Sequence, residues 1–113
     1  MKVKTSTLTG AALDWAVAQC EGPNTRGFNN PIDRPMSYTY RPSTDWGCGG
    51  PIIEREKIDT VWHTGAQRWT ALADYENGGK LFEECGGSPL EAAMRVYVAS
   101  RLGAEINLPK GLK

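Results

Sequence analysis

Two stretches of the chain place their hydrophobic residues at helical spacing, with shorter strand-like alternation between and before them. Over residues 9–20, Leu13, Ala16, Val17 and Cys20 recur on one side while Asp14 and Gln19 fall on the other, and Gly22 stands beyond as a stop. Trp15 lies off that stripe and is expected to cover a second surface. From Ser88 onward, Leu90, Ala93, Met94, Tyr97, Val98 and Leu102 form a broad apolar face. Ser88 offers a hydroxyl cap, Pro89 suits the first helical position, Glu91 can bond back, and Gly103 ends the run. This second helix is predicted to be the main core helix.

Shorter segments read with a period of two. Residues 1–6 alternate weakly and predict a short first strand. Residues 36–40 predict another, with Tyr38 and Tyr40 on one face. Residues 58–63 and 68–73 predict two strands joined around Thr64-Gly65-Ala66-Gln67, and Asn77-Gly78-Gly79 marks a turn. Residues 23–35, rich in Pro, Gly and Asn, have neither period and predict a long loop. The expected class is α+β: one domain over residues 1–113, a small, mostly antiparallel sheet with helices packed on it, α/β/α sandwich-like.

Residues 40–56 concentrate most of the candidate chemistry. Ser43 and Thr44 can cap a helix, and Asp45 favours its positive end. Gly47, Gly49 and Gly50 allow a ligand or another chain segment close to the backbone. Pro51 suits the start of a new helix continued by Ile52 to Glu56, so the segment predicts a capped turn, a glycine break and a second short helix, with Trp46 at the bend. Tyr40 and Trp46 can stack on a planar ring; Ser43, Thr44 and Asp45 can hydrogen-bond hydroxyls or ring nitrogens; Arg41 or Arg55 can clamp a phosphate. Amides at Gly49 and Gly50 add anion donors. The competing reading is a plain loop whose glycines only turn the chain and whose Tyr40 and Trp46 are core. Trp15, Trp62 and Trp69 are read as core.

Three ordered blocks, residues 5–18, residues 42–46 with 49–58, and residues 88–103, resemble the phage NinX family, small tailed-phage proteins of unknown function; Cys48 is not part of the family's pattern. Their order is more distantly similar to the phage ABA sandwich domain, in which helices cover both faces of a small sheet. Residues 21–37 follow no pattern of the family. The resemblance implies a phage origin and a fold, with no reaction attached.

Thirteen basic residues balance thirteen acidic ones, and they are interspersed rather than striped, which disfavours nucleic acid as a partner. No apolar run reaches the roughly 18 residues of a membrane span. Cys20, Cys48 and Cys85 form no C-x-x-C pair and, with no export signal, predict free thiols in the cytoplasm of an infected bacterial host. With a single histidine, His63, a zinc site is disfavoured, and no cofactor is expected. Gly47-Cys48-Gly49 resembles a nucleophile on a tight turn, with His63 as base and Asp45 as orienter; a bystander thiol is the simpler reading. Glu54, Glu56 and the pair Glu83-Glu84 are expected to be solvated. The reading that follows is non-enzymatic: a phage accessory protein that binds a nucleotide-like host metabolite or signal without turnover, and by analogy sequesters a defence signal. The alternative is a protein-docking module acting through residues 40–56. A homo-oligomer, most simply a dimer, is expected from the apolar content of so small a chain.

Overall fold

A computed structural model describes residues 2–22, 40–75 and 80–109. Strand β1 (Lys2–Lys4) runs into a 3-10 turn (Thr5–Thr7) and helix α1 (Gly10–Glu21). Helix α2 (Trp46–Glu56) leads to strands β2 (Asp59–His63), β3 (Arg68–Tyr75) and β4 (Lys80–Gly86). Helix α3 (Pro89–Leu102) and strand β5 (Glu105–Asn107) follow. The fold is α+β, with an antiparallel sheet ordered β2-β3-β4 and a two-stranded antiparallel pair of β1 with β5. No helix among the described residues is long and apolar enough to cross a membrane.

The element at the centre is α3. Ser88 Oγ accepts the Glu91 amide at 3.1 Å, Pro89 occupies the first turn, and Glu91 Oε1 reaches back to the Gly87 amide at 2.8 Å. Leu90, Ala92, Ala93, Met94, Val96, Tyr97, Val98 and Ala99 are all buried, more of the helix surface than a single apolar stripe covers. One side of α3 lies on the three-stranded sheet, and α1 and α2 pack against it as well. The residues that meet α3 from β3 are Ala71 and Ala73, both essentially inaccessible. Small side chains there let helix and sheet approach closely. Arg95 stitches the layers together: Nε donates to the Leu8 carbonyl at 2.8 Å and Nη1 to the Cys85 carbonyl at 2.6 Å.

Helix α1 begins and ends within one residue of its predicted limits. Asp14, assigned to the solvent side, is instead buried at 5% exposure, because its carboxylate has a partner in residue 43. Two strands were not anticipated. In β4, Glu84 lies on the same face as Ala71 and Phe82, half-buried, so the Glu83-Glu84 pair is not wholly exposed. Burial raises the Glu84 carboxyl above its ordinary value, with Arg95 opposing. Strand β5 supplies the partner for β1: Val3 faces Ile106, and Thr5 Oγ1 donates to the Gly103 carbonyl at 2.6 Å. The predicted loop 23–35, the turn 77–79 and, apart from Tyr40, the predicted strand 36–40 lie outside the described residues.

Candidate functional site

The segment 40–56 forms a tight turn followed by an unbroken helix. The amides of Thr44 and Asp45 both return to the Arg41 carbonyl, at 3.2 and 2.8 Å. Asp45 is the N-cap of α2, its Oδ1 accepting from the Gly47 amide at 2.9 Å. The expected glycine break is absent: Gly47, Gly49, Gly50 and Pro51 all lie inside α2. Packing overrides their weak helix propensity. A Cβ at position 49 would collide with the Pro42 carbonyl oxygen and lie 2.6 Å from Leu90 Cδ2. The close backbone approach that Gly49 permits is therefore used by the protein's own turn and by α3.

Several candidate residues are committed to the interior. Tyr40 is 3% exposed and Ser43 also 3%. The Ser43 amide donates to Asp14 Oδ1 at 2.8 Å, which fastens the turn to α1. Burial raises the Asp14 carboxyl above its ordinary value, while the Ser43 amide and the Arg41 charge oppose that rise. The Gly49 amide donates to the Asp45 carbonyl at 2.9 Å, so it is consumed by the helix rather than offered to an anion.

Arg55 is engaged in a network linking the far end of α2 to α1 and α3. Its Nη1 and Nη2 donate to both oxygens of Glu21 at 3.1 and 2.7 Å, its Nε to Glu56 at 2.8 Å, and Nη2 also to Tyr97 Oη at 3.1 Å. Tyr97 donates its hydroxyl to Glu21, and Arg101 closes the cluster on Glu56 at 2.9 Å while lying over the Tyr97 ring. Burial disfavours the Glu21 charge, yet the hydrogen bonds from Arg55 and Tyr97 outweigh it and hold the carboxyl below its ordinary value. The Arg55 guanidinium is correspondingly shifted up by its Glu21 hydrogen bonds. Glu54 is exposed as expected, but Glu56 is paired twice.

What remains at the surface is the indole of Trp46. It is 55% exposed at the start of α2, and its ring lies along the helix at ordinary contact distance from where a side chain on Gly50 would stand. Arg41, Thr44, Gly47 and Pro51 of the same segment are exposed as well, and so, despite its ion pairs, is Arg55. Cys48, next along, is buried, with its Sγ 3.5 Å from Asp45 Oδ2, whereas His63 is exposed at the end of β2. Asp45 thus caps the helix and holds the thiol. All three cysteines are free, and burial pushes the Cys20 thiol up to about 12. Trp62, read as core, is 46% exposed. Among the described residues no cluster of three His, Cys, Asp or Glu side chains is arranged to hold a metal ion. Elsewhere a concavity of about 440 Å³ opens beside β1, β4 and β5, lined by Lys4, Ser6, Glu84, Ala104 and Glu105.

The fold and the site together define a small α+β protein whose central motif is mostly scaffold, with one exposed aromatic at a capped helix start. Residues 4–101 match the family described as Bacteriophage P22, NinX, and the chain belongs to that family. No relative is found among curated proteins. The family match covers the first two sequence blocks and all but the last two residues of the third, and the structure gives two of them a shared physical role: Asp14 of the first block receives the amide of Ser43 in the second.

Proposed function

We propose that this phage protein works without turnover, as a docking module that engages a protein partner through the surface centred on Trp46. The observation that supports this reading is the division of labour within residues 40–56. Tyr40, Ser43, Gly49 and Arg55 are spent on internal contacts, whereas the Trp46 indole is left more than half exposed on a rigid, capped helix. A large aromatic held in place by a helix loses little freedom on binding, and such residues are the commonest interface anchors. Arg41 and Thr44, exposed in the turn that leads into α2, are polar neighbours in sequence of the kind that border those anchors.

A second reading keeps a nucleotide-like ligand, with Trp46 as the stacking face and Arg41 as an exposed cation of the segment, Arg55 being engaged with Glu21 and Glu56. Sequestration of a host signal would follow from such binding. It has fewer groups than the sequence promised, because the Gly49 amide and Arg55 have internal partners.

Affinity capture from infected cells with the parent and Trp46→Ala, paired with denaturant melts and a nucleotide panel, separates the two. Docking predicts a stoichiometric protein partner lost from Trp46→Ala, with affinity down roughly 30-fold or more for an anchor worth about 2 kcal/mol. Melting of the variant should stay near the parent's. A nucleotide that raises the parent's melting temperature but not the variant's would favour the second reading. A large loss of stability in Trp46→Ala would return the residue to scaffold.

A further inference from the structure

We propose that the free edge of β2 pairs antiparallel with the same edge of a second copy of this chain, joining two three-stranded sheets into one of six strands. Strand β2 is the outer strand of the order β2-β3-β4, and among the described residues nothing pairs with its other side. Four of its five residues are exposed, including Val61 at 42% and Trp62 at 46%. An edge of this kind is usually blunted by proline, lysine or a bulge. Here the middle of the strand is Thr60-Val61-Trp62, good strand formers with none of those devices.

The strand is complementary to itself. In an antiparallel pair, two facing residues turn their backbone groups either both toward the partner or both away, and neighbours along a strand alternate, so a strand paired with its own copy can only be centred on a residue, never between two. Centring on Val61 is the one choice that pairs all five positions. It sets Val61 against the partner copy's Val61, Thr60 against Trp62, and Asp59 against His63 at both ends. The imidazole N–H of His63 then meets the Asp59 carboxylate twice, once on each side of the twofold axis. A centre on Thr60 or Trp62 forfeits those pairs and leaves residues unpaired.

The two faces of the strand agree with this register. Thr60 and Trp62 pair with Ala71 and Trp69 of β3 and so lie on the side of α3, where the Trp62 and Trp69 rings stand 5.5 Å apart. Across the new seam the two Trp62 residues become diagonal neighbours, within reach of one another for aromatic side chains. Each extends the existing aromatic pair and covers indole surface now open to water. Val61, Asp59 and His63 share the opposite face. The seam is distinct from the Trp46 surface, so the two proposals stand or fall separately.

Light scattering and sedimentation of the full chain over a concentration series test it. The expected mass is twice 12.4 kDa, and Val61→Lys, which sets two ammonium groups against each other on the axis, should weaken self-association at least tenfold with unchanged circular dichroism. Asp59→His and His63→Asp should each weaken it, and the double exchange should restore it by re-forming the pair in reverse. Trp46→Ala should leave it unchanged. A parent that stays at 12.4 kDa throughout, a Val61→Lys protein that dimerises like the parent, or an exchange that restores nothing overturns the proposal.

Discussion

Gly49 and Gly50 are neighbours in sequence and near-opposites in role. A methyl at 49 has no room between the Pro42 carbonyl and Leu90, and both obstacles belong to packed structure rather than to a free side-chain end. Gly49→Ala should therefore destabilise the protein by about 1–3 kcal/mol, the usual range for overpacking, or by more if α2 separates from α3. At 50 the methyl would rest against the Trp46 ring at 3.6 Å, an ordinary contact. Replacing a helical glycine by alanine there should stabilise by up to about 1 kcal/mol. Urea melts of the two single variants give the comparison directly; two equal effects would mean that the turn and α3 do not clamp the helix at 49.

At the scale of elements, the Glu21 cluster fixes how three helices meet. Glu21 is the last residue of α1, Arg55 and Glu56 end α2, and Tyr97 and Arg101 lie along α3. The Glu21 side chain is 4% exposed, so removing its main partner strands a buried carboxylate. Such losses run to about 3–5 kcal/mol for fully buried pairs, and the 44% exposure of Arg55 places Arg55→Met nearer 1–3 kcal/mol. The sign with pH is set by the depressed Glu21 carboxyl: its contribution is present above the ordinary value of 4.5 and is lost as pH falls through the lower folded one. Acid melts of the parent and Glu21→Gln should converge as that limit is passed. The same cluster shows why the site was only partly legible. The cap at Asp45, the turn before it, the hairpin and both long helices follow from residues close in sequence. The internal roles of Ser43, Gly49 and Arg55 depend on Asp14, Leu90, Glu21 and Tyr97, which no local pattern connects to them. Strand β4 was hidden for a related reason, since Glu84 breaks the apolar alternation on the face where tertiary packing half-buries it. Strand β5 is three residues long and has no period to read.

At the scale of the molecule, the ionisable groups that folding perturbs among the described residues are held neutral or paired, and this gives stability an alkaline limit. The Cys20 thiol moves from 9.0 to about 12, first through burial, with the Arg101 charge opposing; Tyr97 moves in the same direction through burial and its Glu21 contacts. Raised values favour the protonated fold, so that contribution is complete below pH 9.0 and disappears as pH climbs toward about 12. Denaturant melts stepped through that interval should fall steadily in the parent and less steeply in Cys20→Ala. Equal slopes would place the thiol in contact with water. The pairing of β1 with β5 bears on something other than stability. Lys2 to Lys4 bond to Glu105 to Asn107, and the Thr5 amide to the Ala104 carbonyl at 2.8 Å, so segments made first during synthesis find their partners last. Helix α1 likewise waits for α3. Until residues 89–107 have cleared the ribosome, β1 lacks its β5 partner and α1 lacks α3. Closure of the fold therefore waits for α3 and β5 to emerge, and a host chaperone or protease meets an incompletely packed chain in that interval.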